Sequence, residues 1–532
     1  MHITEHALSG RGMTMSDQLA RHARKIPDTV ALRFETAGRT YRQLDERVTL
    51  LANALRERGV RLGDRVAIAG LNCLEVVEGY LAAVRLGAVG VPINFRLVAD
   101  EVAYALSDSG ATAVVVDAPL ADTVAKAREQ VSSVGTCLVI GDGEPAAGSG
   151  GEDYEAALRA ASGDYVEVAV DDHAPAFIMY TSGTTGHPKG AVLTHANLLL
   201  HAFSTMAHLG TPSDDRVWLS GAPLFHIAGL AGMLPNLLLG GRTVITRSGR
   251  FDPVETVELL ERERVSSCFF VPSQWQAICA VPDIAQRDLS ALRRISWGAA
   301  PASTTLLRTM IDTFPQADVV TSFGQTECSP VTCVLRGEDS IRKIGSVGTP
   351  MLNVEARVVD DEGNDVEQGE VGEIVYRGPL VMKEYWGKPA ETAEAFAGGW
   401  FHSGDMVRQD PDGYYYVVDR KKDMVISGGE NIYCAEVENV LGGHPKVAEV
   451  ALIGVGHPKW GEAPLAVIAP RDPADPPTAA EIESFCREHL AGYKCPREVS
   501  IVSALPRNPS GKVLKTQLRA EHSADAPERS TA

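Results

Sequence analysis

The stretch YTSGTTGHPKG at residues 180–190 is the most informative motif in the sequence. It places hydroxyl side chains, glycines and a lysine between two apolar runs, 176–179 and 191–193. Glycine lets backbone N–H groups approach a ligand closely, and consecutive N–H groups form a concavity for anions. Because Lys189 adds a full positive charge, we interpret the stretch as a cradle for polyphosphate. It is not the Walker pattern, since no Gly-Lys-Ser/Thr closes it. The alternative is a Gly/Ser-rich surface turn, which its position between two apolar segments disfavours.

The composition is that of an acidic globular protein of 532 residues, long enough for two or more hydrophobic cores. Lys and Arg number 50 against 69 Asp and Glu. The net charge of −19 argues against a general affinity for nucleic acid, so positive charge for a polyphosphate must be concentrated locally. Nine cysteines without a Cys-x-x-Cys pair indicate reduced intracellular thiols, not disulfides or a zinc site.

The sequence also predicts where the protein works. The N-terminal 17 residues lack the hydrophobic core of a signal peptide. The most apolar stretch, 227–239, is interrupted by glycine, proline and asparagine and is too short to span a bilayer. We therefore predict a cytoplasmic enzyme without a transmembrane segment. Peripheral membrane contact and a homodimer stay open.

Hydrophobic patterning predicts the α/β class. Apolar strands alternate with helices over residues 63–116, which indicates a largely parallel sheet, and we place the cradle inside a second α/β unit. From residue 354 the pattern changes to the alternation of a small antiparallel β subdomain. A compact α+β module of ordinary domain size follows residues 419–423. We predict a large N-terminal domain of α/β layers (1–419), a hinge (420–423), a small mobile C-terminal domain (424–520) and a disordered tail (521–532).

Further segments occur in a fixed order along the chain. They are APLFH (222–226), GAAP (298–301), SFGQTE (322–327), WFHSGD (400–405), DRKKD (419–423), SGGEN (427–431) and PRNPSGK (506–512). Together with the cradle they resemble the motifs of the adenylate-forming superfamily, which includes acyl-CoA synthetases, luciferases and peptide-synthetase adenylation domains. The resemblance covers about residues 15–519 and is strongest to bacterial fatty acyl-CoA ligases.

The resemblance implies a reaction in two steps. A carboxylate attacks the α-phosphorus of ATP to give an acyl-adenylate and pyrophosphate, and the thiol of coenzyme A then displaces AMP. It implies Mg²⁺ as the metal, held by Glu327 with help from Thr184, because Mg²⁺ prefers few carboxylates plus phosphate oxygens. The expected small-molecule partners are the acid, ATP and coenzyme A, with no nucleic acid.

The same resemblance assigns the nucleotide site. Asp405 matches the ribose-binding carboxylate and Arg420 helps to hold the nucleotide, although alone they read as a turn cap and a surface ion pair. The implied ATP-binding residues are Thr181, Ser182, Gly183, Thr184, Thr185, Gly186, Lys189, Gly298, Ala299, Ala300, Thr326, Asp405, Arg420 and Lys512. Two positions depart from the family pattern, Phe323 in place of tyrosine and Ala299 in place of a second glycine.

The C-terminal module is expected to change roles between the two steps. Lys512 matches the catalytic lysine, a point charge that reduces repulsion between carboxylate and triphosphate. Lys422 aligns with the hinge position. Gly428, Gly429 and Glu430 fall in the loop that lines the tunnel for the pantetheine arm of coenzyme A.

The acid itself is less defined. No acidic residue follows Phe225, which disfavours an α-amino acid because its ammonium needs a partner when buried. His226 matches the catalytic gating histidine near the carboxylate, or is a hydrogen-bonded core histidine. We place His226, Gly229 and Trp297 in the acyl pocket and predict a medium- or long-chain fatty acid. The alternatives are an aryl or steroid-derived acid, a carrier-protein acceptor, a luciferase-like oxygenase and a non-catalytic nucleotide-binding regulator.

Overall fold

The computed structural model describes residues 12–141, 150–181, 187–210, 216–249, 251–300, 302–421, 423–427, 430–507 and 513–523. The strands are β1 (Val30–Phe34), β2 (Ala37–Thr40), β3 (Arg65–Ala69), β4 (Val89–Ile93), β5 (Ala111–Asp117), β6 (Thr136–Ile140), β7 (Glu152–Asp153), β8 (Pro175–Thr181), β9 (Lys189–Thr194), β10 (Val217–Ser220), β11 (Arg242–Ile245), β12 (Ser267–Phe270), β13 (Arg294–Gly298), β14 (Asp318–Gly324), β15 (Val331–Leu335), β16 (Thr349–Pro350), β17 (Glu355–Val359), β18 (Val371–Arg377), β19 (Glu384–Tyr385), β20 (Phe401–Gln409), β21 (Tyr415–Arg420), β22 (Val425–Ser427), β23 (Glu430–Ile432), β24 (Val447–His457), β25 (Gly461–Pro470) and β26 (Glu498–Ile501).

The helices begin and end close to where the apolar periodicity does. They are α1 (Met15–Lys25), α2 (Tyr41–Glu57), α3 (Leu74–Arg85), α4 (Ala99–Ser109), α5 (Ala121–Glu129), α6 (Tyr154–Ala160), α7 (His195–Leu209), α8 (Ile227–Leu239), α9 (Pro253–Arg262), α10 (Pro272–Cys279), α11 (Thr304–Thr313), α12 (Pro389–Ala395), α13 (Cys434–Leu441), α14 (Ala479–His489) and α15 (Lys515–Ser523). Among the described residues, no helix combines the length and the apolar character that a bilayer span requires.

Two large sheets form the N-terminal part. One has the order β19-β9-β8-β4-β3-β5-β6-β7, and the other has the order β16-β15-β14-β13-β12-β10-β11-β1-β2. In the second sheet, the strands from β1 through β14 along this order pair in parallel, as do β3 to β6 in the first. The predicted α/β class is therefore confirmed.

The position predicted for the cradle was wrong in one respect. Its flanking strands β8 and β9 pair with each other in antiparallel fashion and belong to the first sheet, not to the second unit. The short connection between Thr181 and Lys189 explains this, because parallel neighbours need a crossover of a dozen or more residues. The cradle thus connects two antiparallel neighbours near one edge of the first sheet, where β19 is the strand beyond β9 in the part of the chain that the structure describes.

Two smaller sheets complete the fold. Strands β17, β18, β20 and β21 form the antiparallel subdomain that the alternation from residue 354 predicted. The C-terminal domain has the order β23-β22-β25-β24, with β26 beside β25, and its core is separate from the others. Helix α15 runs to Ser523, so the tail predicted to be disordered from residue 521 begins inside a helix. Its leucine, Leu518, is buried against β24 and β25, which supplies the reason.

Candidate active site

A cavity of about 1720 Å³ lies between the second sheet, the β8–β9 hairpin and helices α7 and α8. We call one part the hairpin end; it is lined by Tyr180, Thr181, Thr326, Glu327 and Arg420. We call the other part the helix end; it is lined by His201, Thr205, Trp218, Ala228, Gly232 and Pro235. The cavity therefore follows the carboxyl ends of parallel strands, where open α/β sheets bind their ligands.

A carboxylate is held in place at the hairpin end. Glu327 is 7% exposed, and its Oε1 accepts hydrogen bonds from the Tyr385 hydroxyl at 2.9 Å and the Thr181 hydroxyl at 3.3 Å. Burial, together with the charge of Glu327, raises the pKa of Tyr385, so its phenol remains a donor. The described residues offer no donor to Oε2, which leaves that oxygen for a ligand.

The same carboxylate is the candidate metal ligand. Among the described residues no three His, Cys, Asp or Glu side chains gather into a metal site. A single oriented carboxylate beside a phosphate cradle nevertheless fits Mg²⁺, which takes one or two carboxylates, phosphate oxygens and water. Thr184, predicted to assist, lies outside the described residues.

Lysine 189 is oriented by the same tyrosine. Its Nζ lies 5.2 Å from the ring centroid of Tyr385, a cation–π contact. Tyr385 therefore connects the cradle lysine with Glu327, and β19 brings it there by pairing with β9. Ser182, Gly183, Thr184, Thr185 and Gly186 lie outside the described residues, so their predicted roles stay predictions.

Helix α4 holds both flanks of the cradle. On the incoming side, the Tyr180 hydroxyl donates to Asp108 at 2.8 Å, and Lys388 donates to the same carboxylate at 3.0 Å. On the outgoing side, the Tyr104 ring stacks on His187 at 4.7 Å, and its hydroxyl donates to the carbonyl of Pro188 at 3.0 Å. Residues one turn apart on α4 thus fix the spacing between the two strands that carry the cradle.

Asp405 and Arg420 form an ion pair across the third sheet. They are direct partners in the β20–β21 register, and Arg420 Nε lies 2.5 Å from Asp405 Oδ1. Asp405 is 3% exposed, whereas Arg420 lines the cavity, so the guanidinium covers the carboxylate. The pair lies on the same cavity as Glu327, although the sequence separates the two carboxylates by 78 positions. Gln325 links the two segments by donating to the carbonyl of Ser403 at 3.3 Å.

The predicted adenine wall includes two positions, Gly298 and Ala299, at which the backbone restricts which side chain fits. A Cβ on Gly298 would lie 2.2 Å from the carbonyl oxygen of Ser322, so the glycine permits close pairing of β13 and β14. Ala299 lines the cavity in the left-handed region, with φ of 65°. This explains why glycine is common at this position in the family pattern. Phe323, the other departure, packs against the main core and is not part of the cavity wall formed by the described residues.

His226 is both a cavity residue and a helix cap. It is the N-cap of α8, where its Nδ1 accepts a hydrogen bond from the Ala228 N–H at 3.1 Å. Burial lowers the pKa of His226 to about 4, so the imidazole is neutral near pH 7. With Nδ1 occupied as an acceptor, Nε2 carries the proton and can donate. The structure is therefore compatible with a gating histidine near the acid carboxylate and with a hydrogen-bonded core histidine.

Two residues assigned to the acyl pocket lie elsewhere. Trp297 is buried among Leu307, Met310 and their neighbours, and the adjacent Ser296 faces the cavity instead. Gly229 packs under the backbone of Pro223, where a Cβ would lie 2.3 Å from the carbonyl oxygen. Among the described residues neither lines the cavity. Alternation along β13 and the turn of α8 explain both errors, since neighbouring residues face opposite sides.

The C-terminal residues are described only in part. Lys512, Lys422, Gly428 and Gly429 lie outside the described residues. Arg507 and Leu514, which flank the segment containing Lys512, both line the cavity. Glu430 is exposed in β23 and is not among the described residues of the cavity wall.

Sequence reasoning missed several residues of the site. Tyr385, Tyr104 and Asp108 orient the cradle, and His201, Thr205 and Trp218 form the wall at the helix end. None belongs to a contiguous motif. The available signal was the spacing of His201 and Thr205, which puts both on one face of α7.

Comparisons with known proteins extend over almost the whole chain. Residues 19–386 match the family described as AMP-binding enzyme, and residues 436–512 match AMP-binding enzyme C-terminal domain. The chain is 43% identical over 500 residues to a feruloyl-CoA synthase of an Amycolatopsis species, covering 94% of this chain and 97% of that protein. It is 38% identical over 492 residues to the long-chain-fatty-acid–CoA ligase FadD13 of Mycobacterium tuberculosis, covering 92% and 94%. The o-succinylbenzoate-CoA synthetase MenE of Bacillus subtilis, solved with its acyl-adenylate intermediate, has a TM-score of 0.84 at 33% identity, covering 94% and 97%.

Agreement in sequence and in fold over this length defines an adenylate-forming enzyme with a large N-terminal and a small C-terminal domain. The chain belongs to the AMP-binding enzyme family, as the resemblance of its motifs predicted. It is an AMP-forming acid–CoA ligase that works through an acyl-adenylate, with ATP, Mg²⁺ and coenzyme A as the cosubstrates and metal of the reaction.

Proposed function

We propose that this ligase activates an aromatic carboxylic acid and transfers it to coenzyme A. The observation that carries the proposal is the wall of the helix end. Ala228, Gly232 and Pro235 recur at helical spacing on the cavity face of α8, and the indole of Trp218 lies against Gly232. The small residues let the indole pack onto α8, so the helix and the aromatic ring form one flat wall, and the space beside this wall, which we call the slot, suits a planar ring.

The identity of the relatives supports the same acid class. Feruloyl-CoA synthase is 43% identical, and indoleacetate–CoA ligase of Aromatoleum aromaticum is 37% identical over 509 residues. Both names denote acids that carry a ring. The medium- or long-chain fatty acid expected from the sequence becomes the second candidate. It is favoured by the extent of the cavity, which reaches Leu209 and Asn236 beyond the slot, and by the likeness to FadD13.

The roles of the residues follow from their positions. We assign the ribose hydroxyls to Asp405 and Arg420, whose ion pair must open to accept them. We assign the pyrophosphate part of ATP to the cradle and Lys189, and Mg²⁺ to Glu327, where the ion neutralises phosphate charge. Neutral His226 lines the cavity at the start of α8 and can donate from Nε2 to the acid carboxylate. Lys512 supplies the charge that lets two anions approach.

Both steps balance without an oxidant or a reductant. A carboxylate oxygen of the acid forms a bond to the α-phosphorus of ATP while the bond from that phosphorus to the bridging oxygen breaks, and pyrophosphate leaves with the electron pair. The sulfur of coenzyme A then attacks the acyl carbon, loses its proton, and AMP leaves as the anion. We assign Gly428, Gly429 and Glu430 to the path of the pantetheine arm and Lys422 to the hinge between the steps.

A pyrophosphate-release assay tests the proposal directly. The panel contains hydroxycinnamates, indoleacetate, benzoate, a steroid acid and fatty acids of graded length, each with and without coenzyme A. We expect the highest kcat/KM with an aromatic acid and AMP release that requires free coenzyme A. A preference for a fatty acid by more than about tenfold would replace the first candidate with the second, and AMP release only with a carrier protein would change the acceptor.

A variant pair locates the acid within the cavity. Ala228→Leu places a larger side chain in the slot and should abolish activity with every ring-bearing acid while leaving acetate or propionate unaffected. Ala207→Leu makes the same change on the exposed face of α7 and is the matched control. Equal activity of the two variants with aromatic acids would show that the acid binds elsewhere.

A further inference from the structure

Strand β20 is irregular at the residues that lead to Asp405. Between Glu373 and Val375, β18 advances by two residues, while the paired residues of β20 advance by four, from Met406 to His402. Strand β20 therefore contains two additional residues at this point, which makes the segment a β-bulge. Such bulges change the direction of a side chain and interrupt the ladder of hydrogen bonds. The bulge contains Asp405, to which we assigned the ribose hydroxyls.

Side chains supply hydrogen bonds to the backbone of the bulge. Glu373 Oε1 accepts a hydrogen bond from the Gly404 N–H at 2.8 Å. Ser403 Oγ accepts from the Asp405 N–H at 3.0 Å and donates to the carbonyl of Ile374. Gly404 itself has φ of 71°, in the left-handed region that glycine adopts without strain. Two neighbouring N–H groups of the bulge are thus held by side chains of the same sheet.

The Glu373 carboxylate is itself held in place. The residue is 6% exposed, His402 Nδ1 lies 3.2 Å from its Oε2, and Lys421 Nζ lies 3.6 Å from the same oxygen. The Lys421 N–H also donates to the carbonyl of Gly404 at 2.9 Å, so both sides of this glycine are bonded. Glu373 is not among the described residues of the cavity wall, so its influence on a ligand must pass through the bulge.

We propose that Glu373 is a positioning residue for the nucleotide: it fixes the bulge so that the Asp405 carboxylate meets the ribose hydroxyls. The proposal rests on the proposed function, because the assignment of ribose to Asp405 belongs to it. Hydrogen bonds between a backbone N–H and a carboxylate are among the stronger ones in proteins. Without this bond Gly404 can change its backbone angles, and small displacements of an orienting group lower the rate of a bound substrate.

The alternative explanation is that these contacts only stabilise the sheet. The two explanations differ in what loss of the Glu373 carboxylate does to nucleotide selectivity. A purely stabilising contact changes the folded fraction, which scales the rate with every nucleotide alike. A positioning contact changes the discrimination between a nucleotide that carries both ribose hydroxyls and one that lacks a hydroxyl.

The experiment compares ATP with 2′-deoxyATP in pyrophosphate release by the full-length enzyme, with the acid that is best in the panel. We expect the wild type to prefer ATP in kcat/KM by about tenfold or more, because Asp405 loses a donor in the deoxy analogue. Asp405→Asn should lower this ratio, and Glu373→Ala should lower it by about threefold or more. Glu373→Gln keeps an acceptor for the Gly404 N–H and should stay within about twofold of wild type. Glu355→Ala, which breaks an exposed ion pair with Arg377 in the same sheet, is the matched control.

The outcomes separate this inference from the proposed function. A ratio that Asp405→Asn leaves unchanged refutes the assignment of ribose to Asp405, and this inference with it. If Asp405→Asn lowers the ratio but Glu373→Ala keeps it within twofold of wild type, the assignment stands and the inference is overturned. Equal lowering by Glu373→Gln and Glu373→Ala also overturns it, because the bond to Gly404 is then not the cause. If Glu373→Ala does not fold, Ser403→Ala takes its place: it removes the acceptor for the Asp405 N–H, and an unchanged ratio overturns the inference.

Discussion

The hairpin end and the helix end of the cavity satisfy their polar groups in different ways. At the hairpin end, Glu327 is bonded by two hydroxyls, Asp405 is paired with Arg420, and α4 fixes both flanks of the cradle. At the helix end, three polar atoms have no partner among the described residues, and the remaining wall is small or apolar. The hairpin end is thus arranged by protein hydrogen bonds and ion pairs, while the helix end is shaped mainly by small and apolar side chains.

The difference separates what the two ends contribute to the reaction. Every acid needs the same nucleotide chemistry, so the hairpin end can be preorganised once by protein contacts. The names of the relatives denote different acids, so under the proposed function we expect selectivity to reside at the helix end. Substitutions at the hairpin end should therefore slow all acids alike, and those at the helix end should change the ratio between acids.

The largest effect should come from Lys512→Ala. Loss of the charge between carboxylate and triphosphate should slow adenylate formation by about a thousandfold with every acid. Thioester formation from supplied acyl-adenylate should be nearly unchanged, because the second step needs no such charge. The two half-reactions are measured separately, by pyrophosphate exchange and by thioester release. Equal losses in both would contradict this division, and Lys459→Ala, an exposed position between β24 and β25, checks for a general defect of the domain.

Glu327→Gln should have the next largest effect. Glutamine keeps the shape and one acceptor for Tyr385 and Thr181 but removes the charge that suits Mg²⁺. Adenylate formation should fall about a hundredfold with aromatic and aliphatic acids alike, and the Mg²⁺ concentration for half-maximal rate should rise. The comparison variant is Tyr385→Phe, which keeps the carboxylate and loses one hydrogen bond, and it should cost tenfold or less. A glutamine variant with an unaltered Mg²⁺ requirement would exclude Glu327 as the ligand.

A smaller effect should follow from Tyr180→Phe. The change removes a hydrogen bond to the Asp108 carboxylate, and bonds to charged groups contribute about 1.5–3 kcal/mol. With the cradle less well fixed, the KM for ATP should rise by roughly threefold to tenfold, while the KM for the acid stays constant. Tyr104→Phe keeps the stacking on His187 and loses the hydroxyl's bonds to Pro188 at 3.0 Å and, more weakly, to Asp108 at 3.5 Å, so it should give a smaller shift in the same direction. If the KM for the acid rose instead, α4 would influence binding of the acid and not of ATP, which would contradict this prediction.

The pH dependence of stability should depend on the buried histidines of α7. Burial lowers the pKa of His195 to about 4 and that of His201 to about 3. Between about pH 6.5 and pH 4 the unfolded chain binds protons that these residues cannot bind when folded, so stability falls as the pH falls. One such histidine makes the free energy of unfolding fall by up to about 1.4 kcal/mol for each unit by which the pH is lowered in this range. His195→Leu should remove this contribution, so the variant should lose less stability than the wild type. Urea denaturation at pH 7, 6 and 5 measures it, and a slope identical to wild type would contradict the buried neutral state.

The motifs pointed to several residues that the structure brings together at the hairpin end, because each motif is local. The cradle, Glu327 and Asp405 could each be identified from a few neighbouring residues. What the sequence did not show depends on sheet order. Tyr385 reaches Glu327 because β19 pairs with β9, a contact between positions almost 200 residues apart in the chain. The cradle's own sheet was misplaced for the same reason, since apolar strands look alike whichever sheet they join.

The residues of the helix end were predicted poorly, because the sequence does not show which side chains of a buried element face the cavity. Trp297 and Ser296 are neighbours in an apolar strand, and a buried strand has no polar alternation to show which side faces the cavity. His201, Thr205 and Trp218 carry no motif, and they come together on the cavity wall because α7, α8 and β10 pack on one another. The class of reaction was therefore predictable from the sequence, whereas the acid was not.

The smallest effect should come from Ala299→Gly, where the cavity wall departs from the family pattern. A non-glycine residue in the left-handed region costs about 1–2 kcal/mol, and glycine adds about 0.4–1 kcal/mol of chain entropy to the unfolded state. The opposing effects should leave the variant about 0.5–1 kcal/mol more stable in urea. Ala300→Gly, with no positive φ to relieve, should instead be less stable by the entropy cost alone. If Ala299→Gly and Ala300→Gly lower the free energy of unfolding equally, the backbone at Ala299 is not strained. Alanine in place of glycine at this position would then cost the protein no stability.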